Sequence, residues 1–86
     1  MSRALHLIKA ERRQVDAAAA VLRPWGLAWA LGKDGPHLHM LVAGPRGGHW
    51  RLTLACTPRD QDEAVRFAER NAKRLVRVIN QRVLGW

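Results

Sequence analysis

Two histidines and a spaced set of cations are the residues of this chain whose types and spacing suit chemistry. His37 and His39 stand two apart in the alternating run His37-Leu38-His39-Met40-Leu41-Val42. On a strand, that spacing sends both imidazoles to one side. Imidazole titrates near neutral pH, so the pair beside a cation such as Arg51 suits general acid–base work, RNA cleavage included. As a metal site it lacks carboxylate or Cys neighbours and His-x-His alone is a weak signal. The plain alternative is a strand's polar face filled by surface histidines. Further on, Arg66, Arg70, Lys73 and Arg77 recur at spacings of four, three and four, with Arg74 beside them. On a helix these cations share one face with neighbours about 5–6 Å apart, and each like-charged pair costs a few tenths of a kcal/mol. Glu69 offsets part of that cost, and phosphates along a nucleic-acid backbone would turn the remainder into affinity. Arg46 and Arg51 are candidates to extend the contact. The competing reading is a solvated face kept for solubility.

Other chemistries find no support. Gly44-Pro45-Arg46-Gly47-Gly48 lacks the Lys-Ser/Thr that completes a phosphate-binding loop. Cys56 stands alone, which excludes an internal disulfide or a Cys-rich zinc site, and it falls on the buried side of a strand's alternation. No metal and no cofactor is expected.

The balance of charge points the same way as the cation spacing. Fifteen Lys and Arg against seven Asp and Glu leave a net charge of +8. Such an excess repels itself in a compact domain, and counterion release from a polyanion is its commonest reason. Twelve of the fifteen cations are Arg, which can fork onto a phosphate where Lys acts as a point charge. A genome that favours Arg and Ala would leave the same mark. No apolar run reaches the roughly 18 residues of a membrane span. Leu5, Leu7 and Ile8 are interrupted by His6 and followed by Lys9, Glu11, Arg12 and Arg13, unlike a signal peptide. A cytoplasmic protein that meets no membrane is expected.

Eighty-six residues suffice for one domain, 1–86. An Ala-rich helix is expected over 3–22, with Leu5, Ile8, Val15, Ala19 and Leu22 on one side and Pro24 blocking its continuation. Period-two alternation from 25 to 56 predicts a three-stranded antiparallel meander with turns at Lys33-Asp34-Gly35 and Gly44–Gly48. Its covered face would hold Trp25, Leu27, Trp29, Leu31, Leu38, Met40, Val42, Trp50, Leu52 and Leu54. The last helix is expected over 58–83, with Thr57 as N-cap, Pro58 at its first position and acidic residues in its first turn. Val65, Ala68, Ala72, Leu75, Val76, Ile79 and Val83 form its apolar stripe, widened by Phe67 and Val78. The fold class is therefore α+β, ordered α-β-β-β-α, with both helices on one face of the sheet. The other face stays open and carries His37, His39, Leu41, His49, Arg51 and Thr53 among small residues. With Trp86, that face is a candidate surface for a protein partner or for a second copy.

The α-β-β-β-α order resembles that of double-stranded-RNA-binding domains and of the HicA toxins of bacterial toxin–antitoxin pairs. The stretch Gly32-Lys33-Asp34-Gly35-Pro36-His37-Leu38-His39 is similar to the Gly-Ser-His-His strand motif of HicA. That resemblance implies an mRNA interferase with His37 as its catalytic residue. Pro36 stands where the family has Ser, and Leu38 where it has the second His. Over residues 25–80 the chain also resembles small uncharacterised phage and prophage proteins, on its glycine-bearing hairpin, its Thr57-Pro58-Arg59-Asp60 helix start and its basic last helix. This likeness implies handling of nucleic acid during infection in the host cytoplasm, or inhibition of a host defence complex by protein–protein contact, as anti-CRISPR proteins do. From the residues themselves, the leading expectation is non-catalytic nucleic-acid binding, DNA or RNA, through the last helix.

Overall fold

A computed structural model describes residues 7–34, 37–45, 47–55 and 59–83; the side chains of His37, Arg82 and Val83 also lie outside the description. The chain folds as α1 (Lys9–Leu22), a 3₁₀ turn (Arg23–Trp25), β1 (Ala28–Asp34), β2 (His37–Ala43), β3 (His49–Leu54) and α2 (Gln61–Val83). The three strands form one antiparallel sheet in the order β1-β2-β3. This is the expected α+β fold with an open sheet.

Alternation sorts the sheet's side chains. Leu38, Met40, Val42, Leu52 and Leu54 are buried with Val15, Ala18 and Leu22 of α1 and Ala68, Ala72, Val76 and Ile79 of α2. Burial of this apolar surface is the main force joining the layers. Two polar residues of α1 fix its place over the sheet. The Gln14 amide donates to the Ala55 carbonyl at 2.7 Å and accepts from the Ala55 N–H at 2.9 Å, finishing β3 as a neighbouring strand would. Glu11, also buried, accepts from the Ile8 N–H at 3.1 Å and meets Lys33 Nζ of β1 at 3.3 Å. One helix is thus tied to both outer strands.

Several expected boundaries move. Ile8 is extended and half exposed, and α1 starts at Lys9, not at residue 3; residues 1–6 lie outside the described residues. Ala19 is only half-buried, while Ala10, Glu11, Gln14 and Ala18 face inward. The meander starts at Ala28, not at residue 25, because Arg23-Pro24-Trp25 coils into a 3₁₀ turn. Gly26 ends that turn at φ +65°, a conformation that suits a residue without Cβ. Trp25 consequently leaves the core and is 56% exposed, and Trp29 is 39% exposed near the start of an outer strand. Thr57, Pro58 and Cys56 lie outside the described residues. The cap of α2 is Asp60, whose Oδ1 accepts from the Glu63 N–H at 3.1 Å, so the helix begins at Gln61 and not at 58.

Candidate nucleic-acid interface

Helix α2 divides its circumference between core and solvent. Ala64, Ala68, Ala72, Val76 and Ile79 are buried. At about 100° per residue, Arg66, Arg70, Lys73, Arg74 and Arg77 centre nearly half a turn away. All five are exposed. From Arg66 to Arg77 the track runs about 16 Å, eleven residues at about 1.5 Å each. Phe67 and Val78 do not widen the apolar stripe as expected: both are exposed and flank the cations, because their angular positions lie past the edge of the packed side.

The charges on this face are largely uncommitted. Lys73 Nζ meets Glu69 Oε1 at 3.0 Å one turn away. Arg66, Arg70, Arg74 and Arg77 form no ion pair among the described residues. The Arg70 guanidinium lies over the Phe67 ring, 5.4 Å from its centroid, a stacked pose that immobilises it without neutralising it. At the foot of the helix Arg13 of α1 donates to Asp62 at 2.6 Å. That hydrogen bond, then the charge of Arg13, and more weakly that of Arg66, hold the Asp62 carboxyl below its ordinary range despite a small opposing desolvation.

The open sheet face has the expected register, with Leu41 opposite Arg51 and His39 opposite Thr53. Arg51 is exposed there, on the side of the sheet away from α2, so the structure does not bring it together with the α2 cations. Leu41 is exposed between Ala30 and Arg51. His39, expected as part of a partner surface, is instead only 8% exposed. Its cross-strand neighbour is Gly32, and a Cβ at that position would overlap the imidazole. The missing side chain opens the space into which His39 folds. His37 pairs with Asp34 in the backbone ladder, while its side chain lies outside the description. Arg46 and Trp86 also lie outside the described residues.

Two grooves went unread in the sequence. One, of about 480 Å³, runs between β3 and the first half of α2, with Gln14 at its base and Phe67 on its rim. The other, of about 380 Å³, lies where α1 ends beside the second half of α2, lined by Val21, Trp25, Lys73, Val76, Arg77, Asn80 and Gln81. Trp25 was the legible signal: Pro before and Gly after it mark a turn, and a turn tends to expose what it carries.

Among the described residues, no group of three or more His, Cys, Asp or Glu could hold a metal ion. No helix among them is long and apolar enough to cross a membrane. Comparisons with protein-family models, curated proteins and solved structures found no match.

Proposed function

We propose that this chain is a small, non-catalytic nucleic-acid-binding protein that lays Arg66, Arg70, Lys73, Arg74 and Arg77 of α2 along phosphates. The observation that carries the reading is the solvent side of α2, where four guanidiniums have no carboxylate within ion-pairing distance among the described residues. Like charges held this close destabilise a helix, and an anionic ligand offsets that cost while releasing its counterions. Contact through phosphates implies little sequence preference and strong salt dependence.

A gel-shift titration of the wild type against Arg70→Glu/Arg77→Glu tests this. Neither residue belongs to the core, so the double variant is expected to stay folded with its helix content kept, melting no lower than the wild type because repulsion is relieved, while losing binding. Unchanged affinity overturns the reading. Incubation with RNA checks the interferase alternative, since degradation abolished by His37→Ala would replace binding with catalysis. A protein partner or second copy on the open sheet face is the remaining reading, favoured by exposed Leu41 among Ala28, Ala30 and Ala43. It requires a complex that survives nuclease treatment.

A further inference from the structure

The groove between the ends of the two helices has a composition that the phosphate track alone does not explain. Its floor is aliphatic, from Val21 of α1 and Val76 of α2. One wall is Trp25, 56% exposed on a turn whose Pro24 and Gly26 hold it out of the core. Its rim carries Lys73 and Arg77, two of the five cations of the track, and the primary amides of Asn80 and Gln81. Exposed Trp is costly to hydrate, and an indole beside an apolar floor offers a flat stacking surface. Cations at the rim favour an anionic ligand, and amides can both donate to and accept from the edge of a heterocycle. A planar base attached to a phosphate chain meets all of these requirements at once. Paired bases inside a duplex do not, because their faces are already stacked on each other.

We propose that this groove receives an unstacked nucleobase, with Trp25 as its stacking platform, Asn80 and Gln81 at its edge, and Lys73 and Arg77 on the flanking phosphates. The inference rests on the phosphate-track reading and narrows it: the ligand is single-stranded nucleic acid. Aromatic platforms interleaved with a cationic track are how proteins hold single strands without reading sequence. Because Lys73 and Arg77 belong to both groove and track, one strand can follow α2 and turn a base inward at its second half.

The test compares a single-stranded oligonucleotide with its duplex, by fluorescence anisotropy at 50 mM salt, on the wild type, Trp25→Ala and Trp25→Phe. Expected is a preference of the wild type for the single strand. Trp25→Ala should lower single-strand affinity about 5- to 150-fold, the loss that follows removal of a base–aromatic stack. Trp25→Phe should recover most of the affinity, and the slope of affinity against salt should stay the same in all three, since no charge has been removed. Thermal melting of each variant confirms folding. Equal single-strand binding by wild type and Trp25→Ala overturns the base pocket while leaving the phosphate track intact. So does a wild type that binds the duplex as tightly as the single strand. Absence of salt-dependent binding to either oligonucleotide overturns the track itself, and the base pocket with it.

Discussion

If α2 meets phosphates, the number of phosphates is countable from its side chains. Four guanidiniums stand unpaired among the described residues, and Lys73 is held by Glu69 at 3.0 Å. Each neutralised phosphate contributes about −0.9 to the slope of log K against log salt on duplex DNA and about −0.7 on a single strand. Four contacts therefore give a slope of about −2.8 on a single strand, or a fall of about 50-fold between 50 and 200 mM salt; on a duplex the figures are about −3.6 and about 150-fold. Changing any one of Arg66, Arg70, Arg74 or Arg77 to Ala should flatten the slope by about one contact, costing about 8- to 15-fold at 50 mM salt and little near 1 M. The discriminating variant is Glu69→Gln. In the wild type Lys73 divides its charge between Glu69 and the phosphate. The variant keeps the side chain's shape and ends that competition, so affinity should rise and the slope should steepen by up to about 0.7–0.9. The assay is a gel-shift or anisotropy series at constant pH and varied salt. A slope that ignores the arginine substitutions refutes the phosphate track, and so does a Glu69→Gln variant that binds like the wild type.

Three further outcomes follow from the fold. Gln14→Ala should destabilise the domain by about 1–3 kcal/mol, because it removes the two part-buried bonds to the Ala55 N–H and carbonyl that finish β3; chemical denaturation showing less than about 0.5 kcal/mol would refute that role, since only neutral surface changes are so small. Gly32→Ala should cost about 1–3 kcal/mol by driving the His39 imidazole from its seat. Adding His39→Ala should return part of that loss, and additive effects in the double-mutant cycle would show that the two residues do not share the space. Asp62 has its pKa lowered in the folded state, so its contribution is present above the ordinary Asp value and fades as pH falls below about 4. Asp62→Asn should remove that part of the acid dependence of the melting temperature, an effect kept small by solvent screening.

Strand period and helical period are local properties of the chain, which is why β2, β3 and α2 were legible. Each keeps one apolar side over its whole length, and the Gly44–Gly48 turn sets the pairing of Leu41 with Arg51. Features that depend on a partner distant in sequence were not legible. Gln14 and Glu11 interrupt the apolar side of α1, and nothing within that segment shows that Ala55 and Lys33 lie against them. His39 shared an alternation with exposed residues, and only cross-strand pairing with Gly32 explains its burial. Trp25 continued the period of Trp29 and Leu31, yet Pro24 and Gly26 override periodicity there by shaping a turn. The cation track was legible because a single helix carries it. The groove beside it needed two helices, and no spacing within one of them reveals it.

Opposite responses to salt should separate what α2 does for the fold from what it does for a ligand. Ala64, Ala68 and Ala72 are small enough to bring the helix close to its neighbours, so the core side holds with no help from the charged side. The cations there add repulsion to a chain already at +8, and among the described residues only Arg13, Lys33 and Lys73 are ion-paired. At 10 mM salt charges are felt over about 30 Å, and at 150 mM over about 8 Å. The first distance spans most of a molecule measuring 39 × 33 × 21 Å, while the second reaches only adjacent side chains. Raising salt between these limits should therefore raise the melting temperature of the ligand-free domain, because long-range repulsion is screened while hydrophobic burial is untouched. The same change should weaken nucleic-acid binding through lost counterion release. A melting temperature that falls with salt would mean that ion pairs such as Arg13–Asp62 and Lys33–Glu11 outweigh repulsion in the fold, and would refute the claim that the α2 cations burden it.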